Sequence, residues 1–352
     1  MSKKIARIVS TTLAAVLVAA SAFTGCSSQK SSSQEDSTQK ASSTQASANT
    51  ASSVSNIKVG LALSTKSNAF FIGMEKGIAD ECKVKGYTLE ETNANGQVAK
   101  QLSDAEDLIS KGVSVLIVNA LDSEAIVPVT VKAKAANIPL VFCDRGPSSG
   151  DYASFLESDN VTLGKLAATD IIKFLTQKYG SAKGNVVDIQ GVLGSSPATD
   201  REKGFSTEIS KYPNIKIVAK QAGNFDQEKS MNVMQNILQA NPKIDAVFGA
   251  NDDCSVGAEK AMKAANRLKL VGDADHIYII GIDGINQALA AVKNGEQDIS
   301  ISQDPIKMGA QAVDVAVDAL NGTKVDQHIY TKYYEVNKSN AADPSNWGNQ
   351  VK

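Results

Sequence analysis

From residue 57 onward, short runs rich in Val and Ile alternate with longer stretches whose apolar residues recur at helical spacing. The short runs are residues 57–63, 113–120, 139–144, 185–190, 215–221, 245–250, 277–283 and 298–303. A run that is apolar at nearly every position marks a strand covered on both faces, the state of a central parallel strand. Between the first two runs, Phe71, Met74 and Ile78 fall at i, i+3 and i+7, one face of a helix. Residues 226–240 and 305–320 read the same way. The alternation predicts an α/β protein, and its length fits two doubly wound parallel-sheet lobes. No short tandem repeat is present, although the two halves share the beat.

The start of the chain has a different pattern. Lys3, Lys4 and Arg7 precede an apolar run over residues 12–23, and Thr24-Gly25-Cys26 closes it. A charged start, a short apolar middle and a small-residue exit make an export signal over residues 1–25, and the run is too short to span a bilayer. Phe23-Thr24-Gly25-Cys26 resembles the bacterial lipobox, in which the Cys is lipidated and becomes the mature N-terminus. Phe23 departs from the usual Leu, and Ala20-Ser21-Ala22 also fits ordinary secretory cleavage. Residues 26–56 come next as a tether of Ser, Thr, Gln and Ala that lacks the apolar surface to offset its ordering entropy. Either cleavage places the folded part outside the cytoplasm, and lipidation would fix it to the outer face of the cell membrane.

Composition narrows the function. With 42% apolar residues the chain can build real cores, and 36 basic against 38 acidic residues leave it nearly neutral. No basic stripe speaks for nucleic acid. Cys82, Cys143 and Cys254 form no C-x-x-C or Cys/His array, and His276 and His328 are the only histidines, which disfavours a metal centre. Asp273 and Asp275 lie in a loop over residues 266–276 without the alternating ligands of a calcium loop, and read as solvated. G-x-G-x-x-G, P-loop, G-x-S-x-G and H-E-x-x-H motifs are all missing, so neither an enzyme nor a cofactor is expected.

In open parallel sheets, ligands bind beyond the carboxyl ends of the strands. The polar and aromatic residues at or just beyond the ends of these runs are Ser64, Asn68, Phe70 and Phe71, then Asp144 and Arg145, then Arg201, Phe225, Asn251, Asp283 and Gln303. Each alone has an ordinary explanation as a helix cap, a loop ion pair or a core aromatic. Their recurrence at strand ends makes a site. Two Arg against two Asp leave no net charge, and Asp accepts, Arg donates, and Asn and Gln do both. Phenylalanine rings can wall the C–H faces of a ring-shaped ligand. The set suits a neutral polyhydroxy compound.

Ser64-Thr-Lys-Ser-Asn68-Ala-Phe70-Phe71, Asp144-Arg145, Arg201-Glu-Lys-Gly-Phe205, Asn224-Phe225-Asp226, Asn251-Asp252, Gly281-Ile-Asp283-Gly and Ser302-Gln303 together resemble the ribose-binding proteins. These are substrate-binding components of ABC sugar importers with the type I periplasmic-binding-protein fold. The likeness runs from about Ile57 to Val336 and includes Ser158-Asp159-Asn160 and residues 232–238. It implies that Ser64, Asn68, Phe70, Phe71, Asp144, Arg145, Arg201, Phe225, Asn251, Asp283 and Gln303 contact the sugar, the aromatic rings sandwiching it. It also implies a monomer of two lobes, 57–158 plus 304–331 and 159–303 plus 332–352, hinged at three crossings and closing over the ligand. Partners would be ribose or a related aldose and an ABC permease with its cytoplasmic ATPase. Ala69 stands where the family often has Pro, and residues 266–276 exceed the matching family loop. Intracellular repressors share this fold, but an export signal stands where their DNA-binding head would be. A receptor that presents its loaded form to a membrane kinase or chemoreceptor remains an alternative output.

Overall fold

A computed structural model describes residues 56–351. The expected signal, Cys26 and all of the tether except Asn56 lie outside the described residues. The chain begins with β1 (Lys58–Leu63), α1 (Ala69–Lys85), β2 (Thr88–Asn93), α2 (Val98–Ser110), β3 (Val115–Val118), α3 (Val127–Ala135), β4 (Leu140–Cys143) and β5 (Ser154–Ser158). It continues through α4 (Asn160–Tyr179), β6 (Gly184–Gln190), α5 (Ser196–Ile209), β7 (Ile215–Ala222), α6 (Gln227–Ala240), β8 (Ala246–Gly249), α7 (Asp252–Ala264), β9 (Tyr278–Asp283), α8 (Asn286–Asn294) and β10 (Ile299–Gln303). Last come α9 (Pro305–Leu320), β11 (His328–Thr331), β12 (Tyr333–Val336) and α10 (Trp347–Gln350).

Two sheets result, ordered β11-β5-β4-β3-β1-β2 and β12-β10-β9-β8-β6-β7. Every pair is parallel except β10 with β12. Each sheet thus has a doubly wound order with one added edge strand, and the order reverses at β1/β3 and at β6/β8. Ligand crevices of such sheets lie at the carboxyl ends beside the reversal. The chain passes between the sheets from β5 to α4, from β10 to α9 and from β11 to β12. Helix α9 returns to the first sheet, packing on α1, β3, β4 and β5.

Every run read as Val- and Ile-rich is a strand, and the helical spacing of Phe71, Met74 and Ile78 puts all three inside α1's buried face. Each such buried side chain contributes about 1.5–3 kcal/mol. The strands β2, β5, β11 and β12 escaped the pattern. Of these β2, β11 and β12 lie at sheet edges or ends and are half-exposed, while β5 is buried but carries Ser154, Glu157 and Ser158. Cys82, Cys143 and Cys254 are buried free thiols.

One close approach positions the site directly. A Cβ on Gly164 would lie 2.0 Å from the carbonyl oxygen of Arg201, and one on Gly204 would lie 1.9 Å from that of Val161. Glycine at both positions lets α4 and α5 meet backbone to backbone, which sets how far Arg201 reaches.

The loop of residues 266–276 is pinned from its end. His276 is buried, its Nδ1 lies 2.7 Å from the Lys269 carbonyl oxygen, and its Nε2 lies 2.9 Å from Asp298 Oδ2. Both ring nitrogens face acceptors, so the imidazolium satisfies both. Burial alone would lower the His276 pKa, but the Asp298 carboxylate and the Lys269 carbonyl raise it above its ordinary value against the opposing charge of Lys178. Stability from this group is therefore complete below about pH 6.5, the ordinary histidine value, and is lost as pH rises through the raised folded value. Urea midpoints measured at pH 6 and pH 9 should differ more for the wild type than for His276→Gln; equal differences would refute the imidazolium.

Candidate functional site

Residues from both sheets meet between the lobes. Asn68 caps α1 by accepting from the Phe70 backbone N–H at 2.7 Å, which fixes where Phe70 and Phe71 enter the helix. Asp144 and Arg145 leave the end of β4. Arg201 comes from α5, Phe225 from the turn before α6, and Asp283 from the end of β9. Asn251 caps α7, accepting from the Cys254 N–H at 3.0 Å, while its amide donates to Asp283 Oδ2 at 3.1 Å.

These side chains, together with Pro197, line a narrow cavity between the lobes. Ser64 and Gln303 stand behind the wall. Ser64 Oγ donates to Asn119 Oδ1 at 2.5 Å, and Gln303 Nε2 donates to Asp283 Oδ1 at 2.7 Å. Gln303 thereby holds a cavity-lining carboxylate, and its Oε1 has no hydrogen-bond partner among the described residues.

The charges are deeply buried. Asp144, Arg145, Arg201 and Asp283 are each no more than 4% exposed. Arg145 Nε lies 3.7 Å from Asp144 Oδ2, and Arg201 Nη1 lies 3.6 Å from Asp283 Oδ1. Burial raises the pKa of both carboxyls; Arg145 and Arg201 oppose this at Asp144, and Arg201 opposes it at Asp283. Burial also lowers the Arg145 pKa, against the attraction of Asp144. The Arg145 guanidinium lies over Phe71 at 4.8 Å and over Phe225 at 5.3 Å, and its Nε has no hydrogen-bond partner among the described residues. That buried donor is available to an acceptor within the cavity. The wall therefore offers donors, acceptors and flat apolar faces in balanced charge, which fits a ring bearing hydroxyls. Among the described residues no cluster of His, Cys, Asp and Glu could hold a metal ion.

The lobes are closed over this cavity. Asn68 Nδ2 donates to Asp253 across the cleft, the Gly146 N–H donates to Ser196 Oγ at 3.2 Å, and the Ser123 N–H donates to the Gly194 carbonyl at 3.1 Å.

The family model described as a periplasmic binding protein domain matches residues 59–324. The chain belongs to the periplasmic binding protein family. It is of the type I, ribose-binding-protein-like kind. It is 35% identical over 271 residues to the ribose import binding protein RbsB of Bacillus subtilis, covering 77% of this chain and 84% of that protein. Among solved structures, an ABC transporter solute-binding protein from Mycobacterium smegmatis with bound glycerol superposes with a TM-score of 0.75 at 31% identity, covering 81% of this chain and 96% of that one. A periplasmic solute-binding protein from Actinobacillus succinogenes with bound D-allose gives 0.72 at 31% identity, covering 81% and 99%.

Within this periplasmic binding protein, several site residues were not anticipated from sequence. Asn119, fully buried, donates to the Cys143 carbonyl at 3.0 Å and to Asp144 Oδ2 at 3.3 Å. Extending the second apolar run to residue 120 hid it inside a strand, whereas β3 stops at Val118 and leaves Asn119 on the rim. Asp253 gathers Asn68, Gln227 and Asn251. The only tryptophan, Trp347, comes from the far C-terminus, where no strand end points to it. Its Nε1 donates to the Asp283 carbonyl at 2.8 Å, and its ring meets Phe70 edge-on at 6.0 Å between centroids. It thereby supports cavity-lining residues of both lobes.

Trp347→Ala should cost about 3–5 kcal/mol of stability, the range for a buried Trp. Trp347→Phe, which keeps a ring and deletes the N–H, should cost about 1 kcal/mol. Urea unfolding monitored by circular dichroism checks both; equal losses would show that the hydrogen bond to Asp283 contributes nothing separable from packing.

Proposed function

We propose that this chain is an extracytoplasmic solute-binding lipoprotein that captures ribose or a closely related neutral aldose between its lobes and delivers it to an ABC importer. The observation that carries the reading is the charge-balanced, phenylalanine-walled cavity between closed lobes. A phosphosugar or sugar acid would demand surplus positive charge, and the wall has none. Hydroxyls answer its mixture of donors and acceptors. The named relatives add support: one is a ribose import binding protein, and a superposing structure holds D-allose. In this reading Cys26 carries the anchor, residues 57–158 with 304–331 form one lobe, and 159–303 with 332–352 form the other. The protein binds the sugar in this reading and does no chemistry on it.

Thermal melting against D-ribose, D-allose, D-xylose, D-galactose, D-glucose and D-ribose 5-phosphate tests the ligand class. A true ligand at about 100 times its dissociation constant stabilises by about 2.7 kcal/mol. A neutral aldose should raise the melting temperature and the phosphate should not; a panel with no response, or a response to the phosphate alone, would refute the reading.

Arg201→Ala should weaken binding of the responsive sugar by about 2–3 kcal/mol, the scale of charge-assisted hydrogen bonds. Calorimetry giving an unchanged dissociation constant would remove Arg201 from the site.

A further inference from the structure

Behind Arg201, a line of buried polar groups runs from the cavity to the first lobe crossing. Arg201 Nε donates to Asn160 Oδ1 at 2.9 Å, and its Nη1 donates to the Ala250 carbonyl at 2.8 Å. Asn160 stands in the first turn of α4, where the chain has just left β5. Both hydrogens of its amide are taken, one by Glu157 Oε2 at 3.0 Å and one by the Ser158 carbonyl at 3.0 Å. Glu157 in turn meets His328 Nε2 through Oε1 at 2.9 Å. His328 belongs to β11 and stacks on Phe155 at 5.3 Å. Glu157, Asn160 and Arg201 are each no more than 5% exposed.

An asparagine amide can face either way, and only one way offers an oxygen to Arg201. Glu157 Oε2 and the Ser158 carbonyl both accept, so together they turn the amide nitrogen towards themselves and Oδ1 towards the arginine. A proton on Oε1, the oxygen beside His328, would leave Oε2 accepting.

We infer that Glu157, held by His328, is a positioning residue that locks the Asn160 amide and thereby fixes the guanidinium of Arg201 at the ligand; the inference rests on the sugar-binding reading of the cavity. Burial pushes the Glu157 carboxyl up to about 8, against the hydrogen bond from Asn160 and with Asp200, Asp144 and Asp159 adding to the rise. A purely structural role would therefore be a poor use of this group, because an apolar residue of similar size is easier to bury.

Glu157→Leu should weaken D-ribose binding about 5–10-fold, the size of one lost hydrogen bond, on top of the stability lost by leaving the Asn160 amide short of a partner. Glu157→Gln, which keeps a side-chain oxygen, should recover most of the affinity. Because Glu157 acts only through Asn160, the double variant Glu157→Leu/Asn160→Ala should bind no more weakly than Asn160→Ala alone. Calorimetry that finds Glu157→Leu within twofold of wild type, or losses that multiply in the double variant, overturns the inference. Should Glu157→Leu not fold, Glu157→Met is read the same way. If another aldose of the panel binds in place of D-ribose, it serves as the probe; if none binds, the functional reading is at fault, and this inference is judged on the unliganded protein. There, hydrogen exchange at Arg201 Nε, measured by NMR, should be faster in Glu157→Leu than in wild type; an unchanged rate overturns the inference.

Discussion

The site depends on keeping buried charge compensated within each lobe. Asp144 and Arg145 share the end of one strand of the first sheet, and Arg201 on α5 pairs with Asp283 at the end of β9 in the second. An unpaired buried ion costs several kcal/mol, and removing one member of a buried pair is correspondingly severe. Because each pair sits within one lobe, hinge opening strands no charge and closure brings together two neutral units. The pairs are loosely engaged, at 3.7 and 3.6 Å, so donor and acceptor capacity remains for a ligand. A compact neutral ligand bearing hydroxyls fits such walls; an anion would upset the balance each lobe already has.

Holding those groups in place requires backbone that a sequence pattern does not reveal. Asp144 has φ 66°, Phe225 φ 54° and Asp283 φ 136°, all in the region that L residues rarely adopt. Such positions cost about 1–3 kcal/mol each and persist only where the surroundings over-determine them. Around Asp283 the supports are visible. The next two backbone N–H groups, of Gly284 and Ile285, donate to Asp252 Oδ2 at 2.7 and 3.0 Å, and Ser300 Oγ donates to the same oxygen at 2.7 Å. Trp347 holds the Asp283 carbonyl from the other side. The C-terminal segment is thus part of the binding site's foundation, although it contributes no group to the cavity.

These supports explain which parts of the molecule could be read from the chain. Central strands such as β3, β4, β8 and β9 are buried on both faces, so their identity is written in unbroken aliphatic runs. Edge strands such as β2, with Glu90 and Glu91 half-exposed, leave no such trace. The wall of the cavity was legible for the same reason as the strands: the doubly wound rule turns strand ends into site positions, and Phe70, Asp144, Arg145, Phe225, Asn251 and Asp283 all obey it. The rule cannot separate residues that face the cavity from those that support its wall. Ser64 and Gln303 lie at strand ends and serve Asn119 and Asp283, and that distinction rests on side-chain direction alone. Trp347 and Asn160 reach the site through tertiary contacts that no local spacing encodes.

Closure rests on few direct hydrogen bonds. Besides the rings around Arg145, the direct hydrogen bonds between the cavity-side loops are few: Asn68 to Asp253, Gly146 to Ser196 and Ser123 to Gly194. Each such bond contributes about 0.5–1.5 kcal/mol net, comparable with the freedom lost when two lobes stop moving. A ligand shifts that equilibrium only by the margin it gains in the closed state over the open one. Arg145 and Arg201 line the cavity from opposite lobes, so a molecule touching both would gain that margin from closure. The first crossing matters for the same reason. It carries Ser158 and Asn160, and Asn160 accepts from Arg201, so a crossing between the two sheets also orients an arginine that lines the cavity.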